Sequence, residues 1–192
     1  MAQKISGLIS VILFLCLAVA AGATGNTPPK VGSPLPEMEL LKPNNFADSK
    51  YLGLSYFGKT FKVSQVKAKV VVIQIYSMYC PYCQAEAPNV NRLYGLIENN
   101  PSLKNKIKII GIGVGNTPFE VGTYKKKYTV PFPLISDENF KIHKILGEVR
   151  TPYFIAAKIT ADGRTEVIYS RLGALENNDL FLAQLAKSAS MK

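Results

Sequence analysis

Two cysteines stand three positions apart as Cys80-Pro81-Tyr82-Cys83, directly behind the apolar run Val70-Val71-Val72-Ile73-Gln74-Ile75-Tyr76. A thiol pair at that spacing can cycle between dithiol and disulfide: one thiolate attacks a foreign disulfide, and the other resolves the mixed product. If a strand ends and a helix begins at Cys80, its sulfur meets unpaired backbone N–H groups and the positive end of the helix dipole, which favour thiolate over thiol. Pro81 suits the first helical position because its missing N–H has no intrahelical partner there. Cys80 is therefore the candidate nucleophile, with Cys83 one turn on as the resolving thiol.

Other uses of a cysteine pair fit less well. Structural zinc usually takes four ligands, whereas this chain adds to the pair only Cys16, inside an apolar leader, and one histidine, His143. A staple across three residues removes little loop entropy, so stability is a poor reason for it. His143, beside Lys141 and Lys144, reads as a surface or boundary residue, and Met78 as packing. No metal site and no cofactor are expected.

The elements that must position the pair follow from the pattern around it. The run at 70–76 is β-branched and almost continuously apolar, as expected of a central strand buried on both faces. After Pro81, the residues Ala85, Val90, Leu93, Tyr94, Leu96 and Ile97 recur near helical spacing until Asn99-Asn100-Pro101. Residues 107–114 read as a second, parallel strand, and Thr117-Pro118 as cap and first residue of a helix reaching Tyr128. A short strand is expected at 132–135, then a helix capped by Asp137 and stopped by Gly147. Strands at 153–159 and 165–170 are joined by Ala161-Asp162-Gly163-Arg164, whose Asp-Gly is a hairpin signal, and an amphipathic helix at 175–187 closes the chain. Upstream, apolar runs at 38–41 and 51–57, parted by Pro43-Asn44-Asn45, suggest an N-terminal β-hairpin. The sum is an α/β sandwich: a mixed sheet with helices on both faces.

At 192 residues the chain suits one domain with a short extension. Residues 1–23 carry a basic start at Lys4, an apolar run over 5–20 and small residues near Ala21, the pattern of an export signal, or of a membrane tether if it stays uncleaved. A small residue, not Leu15, would have to precede Cys16 for lipidation. Residues 24–36 read as a Pro/Gly/Thr/Ser-rich linker and 37–192 as the folded domain. An exported protein works where disulfides persist, so the pair can be oxidised. The net charge of +10 favours acidic partners or an anionic membrane face. Its lysines, among them the solvated-looking run Lys125-Lys126-Lys127, lack the arginine stripe and aromatic interleaving of nucleic-acid modules.

Gly32-Ser33-Pro34-Leu35-Pro36, Gly58-Lys59, the 69–76 strand, Cys80-Pro81-Tyr82-Cys83-Gln84-Ala85-Glu86-Ala87-Pro88 and Thr151-Pro152 together resemble the thioredoxin superfamily, and within it the exported, AhpC/TSA-related reductases of TlpA/ResA type. The resemblance implies a thioredoxin-like fold and a cis Thr151–Pro152 bond beside the pair, where Thr151 receives an extended substrate strand. It implies that Glu86 handles the Cys83 proton, and that Pro88 kinks the helix. Pro81, Tyr82 and Tyr79, the last where the family usually has Trp, join Thr151 and Pro152 as substrate-facing residues. Gln74 stands where thioredoxin itself carries a buried acid. The expected activity is extracytoplasmic, periplasmic in a bacterium. It is dithiol–disulfide exchange with exported protein substrates, in the reductase direction, fed by a membrane thiol carrier. The alternatives are an oxidase of the same chemistry, a peroxiredoxin-like peroxidase, or a non-catalytic binding module. The peroxidase is disfavoured because Ser77 sits where that family needs Thr and no distant resolving cysteine exists.

Overall fold

The computed structural model describes residues 27–191. The expected leader, with Cys16, lies outside them. Strands β1 (Leu40–Leu41) and β2 (Thr60–Phe61) pair as a small antiparallel ribbon, with helix α1 (Phe46–Tyr51) between them. Then follow β3 (Val70–Tyr76), α2 (Pro81–Glu98), β4 (Ile107–Val114), α3 (Pro118–Lys127), β5 (Leu134–Asp137), α4 (Lys141–Ile145), β6 (Tyr153–Ile159), β7 (Thr165–Leu172) and α5 (Asn178–Ser188).

The main sheet runs β5-β4-β3-β6-β7, with β3, β4 and β5 parallel and β6 and β7 antiparallel to their neighbours. Each β3 residue is buried, because the strand is central and covered on both faces. Val71, Ile73 and Ile75 pack with Leu40, Leu52, Phe61, Ile142 and Leu146 on one side. Val70, Val72 and Tyr76 pack on the other with the buried faces of α2 and α5. The Tyr76 ring lies flat on β4 because Gly111 and Gly113 face it: a Cβ on Gly113 would come 3.1 Å from the Tyr76 hydroxyl, and one on Gly111 would meet Leu134 at 2.4 Å.

Four expectations need correction. The 51–57 run forms no strand: Asn45 caps α1, its side chain accepting the Asp48 N–H, and the partner of β1 is Thr60–Phe61. Residues 31–36 are no linker, since Gly32 and Leu35 donate to the carbonyls of Val167 and Thr165, and Leu35 is buried. The short strand starts two residues late, at Leu134, behind Pro133, which has no N–H to give a ladder. Asp137 ends β5, and its carboxylate caps α4 from a distance, accepting the N–H groups of Ile142 at 3.0 Å and His143 at 2.8 Å. Gly147 closes α4 with φ of 83°, as its position suggested.

Candidate active site

Strand β3 delivers the chain to a tight loop, Ser77-Met78-Tyr79, closed by the Cys80 N–H on the Ser77 carbonyl at 3.1 Å. Cys80 is extended, with φ −80° and ψ 114°, and is the N-cap of α2, its Sγ accepting the Cys83 N–H at 3.4 Å. A sulfur thus fills the place that a Ser or Asp oxygen takes at other helix starts. As a thiol it donates to the Thr151 carbonyl, also at 3.4 Å. The Thr151–Pro152 bond is cis, as the resemblance implied. Cys80 is part-exposed, while Cys83 is fully buried and packs among the side chains between α2 and the sheet.

The two thiols are pushed in opposite directions. Partial burial opposes ionisation of Cys80, but the Thr151 side chain, the Cys83 thiol and the N–H groups of Cys83 and Tyr82 favour its thiolate and hold it below the ordinary thiol value. Burial drives Cys83 up to about 12, its neighbour Cys80 adding to the rise and the Ser77 backbone offsetting part of it. One sulfur is readied to attack and the other keeps its proton.

The loop is held by groups the sequence reading missed. Asn116, wholly buried after β4, accepts the Met78 N–H through Oδ1 at 2.9 Å, and the Gln84 side-chain amide donates to the Met78 carbonyl at 2.7 Å. The Tyr79 hydroxyl donates to Glu120, whose Oε2 accepts the Thr117 N–H at 2.7 Å. A capping box, Thr117 with an acid three residues on, is a readable signal for Glu120. For Asn116 no signal existed, since beside Gly115 it reads as an ordinary turn residue. Inside α2, the Tyr124 hydroxyl donates to the Cys83 carbonyl at 2.8 Å.

Beside the pair, a groove of about 440 Å³ is lined by Tyr82, Glu86, Arg150, Thr151, Pro152 and Leu172. The structure thus brings four of the expected residues together. Pro81 and Tyr79 are exposed but do not line the groove. Glu86 is buried and its Oε1 accepts the Leu175 N–H at 3.0 Å and the Asn89 amide at 2.9 Å, tying α2 to the chain after β7. No hydrogen bond joins Glu86 to Cys83. Gln74, in register with Gly111 and Phe154, is buried with its Nε2 lacking a protein partner. Strand alternation puts it on the Cys83 side of the sheet. His143 donates to or accepts nothing in this site; its Nε2 meets the Val149 carbonyl.

A parallel-then-antiparallel sheet with a cysteine pair at a strand-to-helix junction, facing a cis-proline, is a thioredoxin-like arrangement. The family model of AhpC/TSA matches residues 31–175, and the chain belongs to that family. It is similar to the thiol-disulfide oxidoreductase ResA of Bacillus thuringiensis subsp. konkukian, 29% identical over 96 residues, which cover 50% of this chain and 52% of that one. The ResA of Oceanobacillus iheyensis is 24% identical over 154 residues, 76% of this chain and 72% of the other. The first of these matches spans only about half the length of its relative. Among solved structures, the thioredoxin domain of a Bacteroides vulgatus thiol-disulfide oxidoreductase superposes with a TM-score of 0.58 at 14% identity, covering 83% of this chain and 98% of that one. A secreted Mycobacterium tuberculosis disulfide oxidoreductase homologous to E. coli DsbE gives 0.53 at 18%, covering 78% and 95%.

Proposed function

We propose that the protein is an extracytoplasmic thiol-disulfide oxidoreductase that reduces disulfides of exported proteins through Cys80 and Cys83. The observation that carries the reading is the asymmetry of the pair: a part-exposed sulfur held below the ordinary thiol value, with a buried one raised to about 12 behind it. The relatives' names as thiol-disulfide oxidoreductases support it.

The Cys80 thiolate attacks one sulfur of the client disulfide. A Cys80–client S–S bond forms, the client bond breaks, and the departing thiolate takes a proton. Cys83 then loses its proton and attacks the Cys80 sulfur, releasing the second client thiol. Two electrons pass to the client and leave a Cys80–Cys83 disulfide, which a membrane thiol carrier re-reduces. The client strand lies in the groove along Tyr82, Thr151 and Pro152, with Pro81 and Tyr79 at its approaches. Glu86 takes the Cys83 proton. Both of its hydrogen bonds fall on Oε1, leaving Oε2 for that work, and Gln74, as a neutral amide, is no substitute.

A peroxidase would need a resolving cysteine at a distance, and among the described residues Cys80 and Cys83 are the only cysteines. The test is insulin reduction by dithiothreitol with and without the protein. Acceleration that vanishes in Cys80→Ser is expected, and acceleration that survives that change overturns the reading. A measured reduction potential decides between reductase and oxidase.

A further inference from the structure

Helix α3 links the redox loop to α1. Its first turn carries Glu120, bonded to Tyr79, and its last turn carries Lys125, whose Nζ lies 2.6 Å from Asp48 of α1. Five residues of helix, about 7.5 Å of rise, separate the position that holds the redox loop from the one that holds α1. Tyr51 of α1 gives the same direction, since its hydroxyl meets the Ile109 N–H near the start of β4, whereas the cysteines follow the C-terminal end of β3, which runs parallel to β4.

At the α1 end, large apolar side chains stand in water. Phe46 is 73% exposed, Tyr56 89%, Phe57 83% and Leu41 53%. The loop that lifts Tyr56 and Phe57 is fastened from within, because the Lys42 ammonium donates to the Ser55 carbonyl at 2.8 Å and also to that of Phe57. A cavity of about 870 Å³ opens beside Phe46 and Tyr56, rimmed by Lys42, Lys50 and Lys59 with no carboxylate among its lining residues. The adjoining cavity adds Lys67, again without an acid. Asp48, the only acid of α1, is engaged by Lys125.

Aromatic tips ringed by unneutralised lysines match the two layers of a bilayer surface: rings enter the headgroup–acyl boundary while ammonium groups meet anionic headgroups. We propose that this end of the protein docks on an anionic lipid bilayer. A second copy of the chain is a poor occupant, because pairing this face with itself sets lysine against lysine. The contact is peripheral: among the described residues no helix is long and apolar enough to cross a membrane. Docked in this way, the protein turns Cys80 away from the lipid.

The chain has no tryptophan, so one introduced indole reports its own surroundings. The full chain is made as Tyr56→Trp and, for comparison, as Phe119→Trp, an exposed position in the first turn of α3. Each is mixed with phosphatidylglycerol or phosphatidylcholine vesicles carrying brominated lipid. The expected result is a blue shift and bromine quenching for Tyr56→Trp alone, on anionic vesicles. Adding Lys50→Glu and Lys59→Glu to that variant lowers its partitioning more than about tenfold. Three results overturn the proposal: both indoles staying water-like, both shifting equally because another segment holds the chain, or a Tyr56→Trp shift indifferent to lipid charge and to the lysine reversals. A shift produced only by an acidic polypeptide overturns it as well. None of these readouts involves thiol exchange, so failure here leaves the redox assignment untouched.

Discussion

The two ends of α3 meet surfaces built on opposite plans. At the redox end, the loop that carries the pair is pinned by named partners: Met78 on Asn116 and Gln84, Tyr79 on Glu120, Cys80 on Cys83 and Thr151. At the α1 end, rings and ammonium groups face solvent and little beyond the Lys42 clamp fixes them. Chemistry at a sulfur needs atoms held to a fraction of an ångström, which hydrogen bonds supply. Adhesion to a fluid surface needs only area and charge. The first kind of site should therefore break under single substitutions that the second absorbs.

The largest effect expected is from Cys83→Ser. Attack by Cys80 survives but release does not, so insulin turnover is lost and a mixed disulfide with the client accumulates, visible by mass spectrometry under non-reducing conditions.

Next comes the pH dependence of alkylation in the reduced protein. Cys80 should reach its full rate with iodoacetamide below the ordinary thiol pKa, whereas Cys83, raised to about 12, should stay unmodified until the medium is strongly alkaline. Stability follows with a definite sign: between the ordinary thiol pKa of 9.0 and about 12, an unfolded chain gives up the Cys83 proton and the folded one keeps it, so the reduced protein loses stability as pH rises through that window. Equal reactivity of both thiols at neutral pH would refute the asymmetry.

Smaller but sharper is Asn116→Ala, which strips the Met78 N–H of its acceptor. It should cost about 1–3 kcal/mol in denaturant unfolding and slow Cys80 alkylation, while Lys59→Ala at the far end should change stability by less than about 0.5 kcal/mol and leave alkylation alone. Smallest is Gln74→Leu, which removes a buried Nε2 with no protein partner and should stabilise the fold by about 1 kcal/mol.

The same contrast explains what could be read from the sequence. Around the pair, period and caps speak plainly: the run at 70–76 is β3, Cys80 caps α2, Thr117 caps α3, and Asp-Gly joins β6 to β7. At the α1 end the signals mislead, because Pro43-Asn44-Asn45 looks like a hairpin turn when Asn45 is in fact a helix cap. The apolar run after it splits its loyalties. Leu52 goes to the core, while Tyr56 and Phe57 go to solvent, and a run that serves a surface imitates a strand. Lys125, expected to be solvated, spans to Asp48 and to the Phe132 carbonyl, a tertiary contact no local pattern announces. Asn116 was invisible for the same reason, since its partner Met78 lies on another strand's exit.

One small contact bears on how the protein survives crowding. Strand β5 pairs only with the later half of β4, from Gly111 onward, so the earlier half would present a bare amide to any passing extended chain. The phenol of Tyr51 sits at the Ile109 N–H at 2.9 Å, with the Lys108 ammonium 4.2 Å above its ring. A single side chain thus occupies the seat that a foreign strand's carbonyl would take on this half of β4.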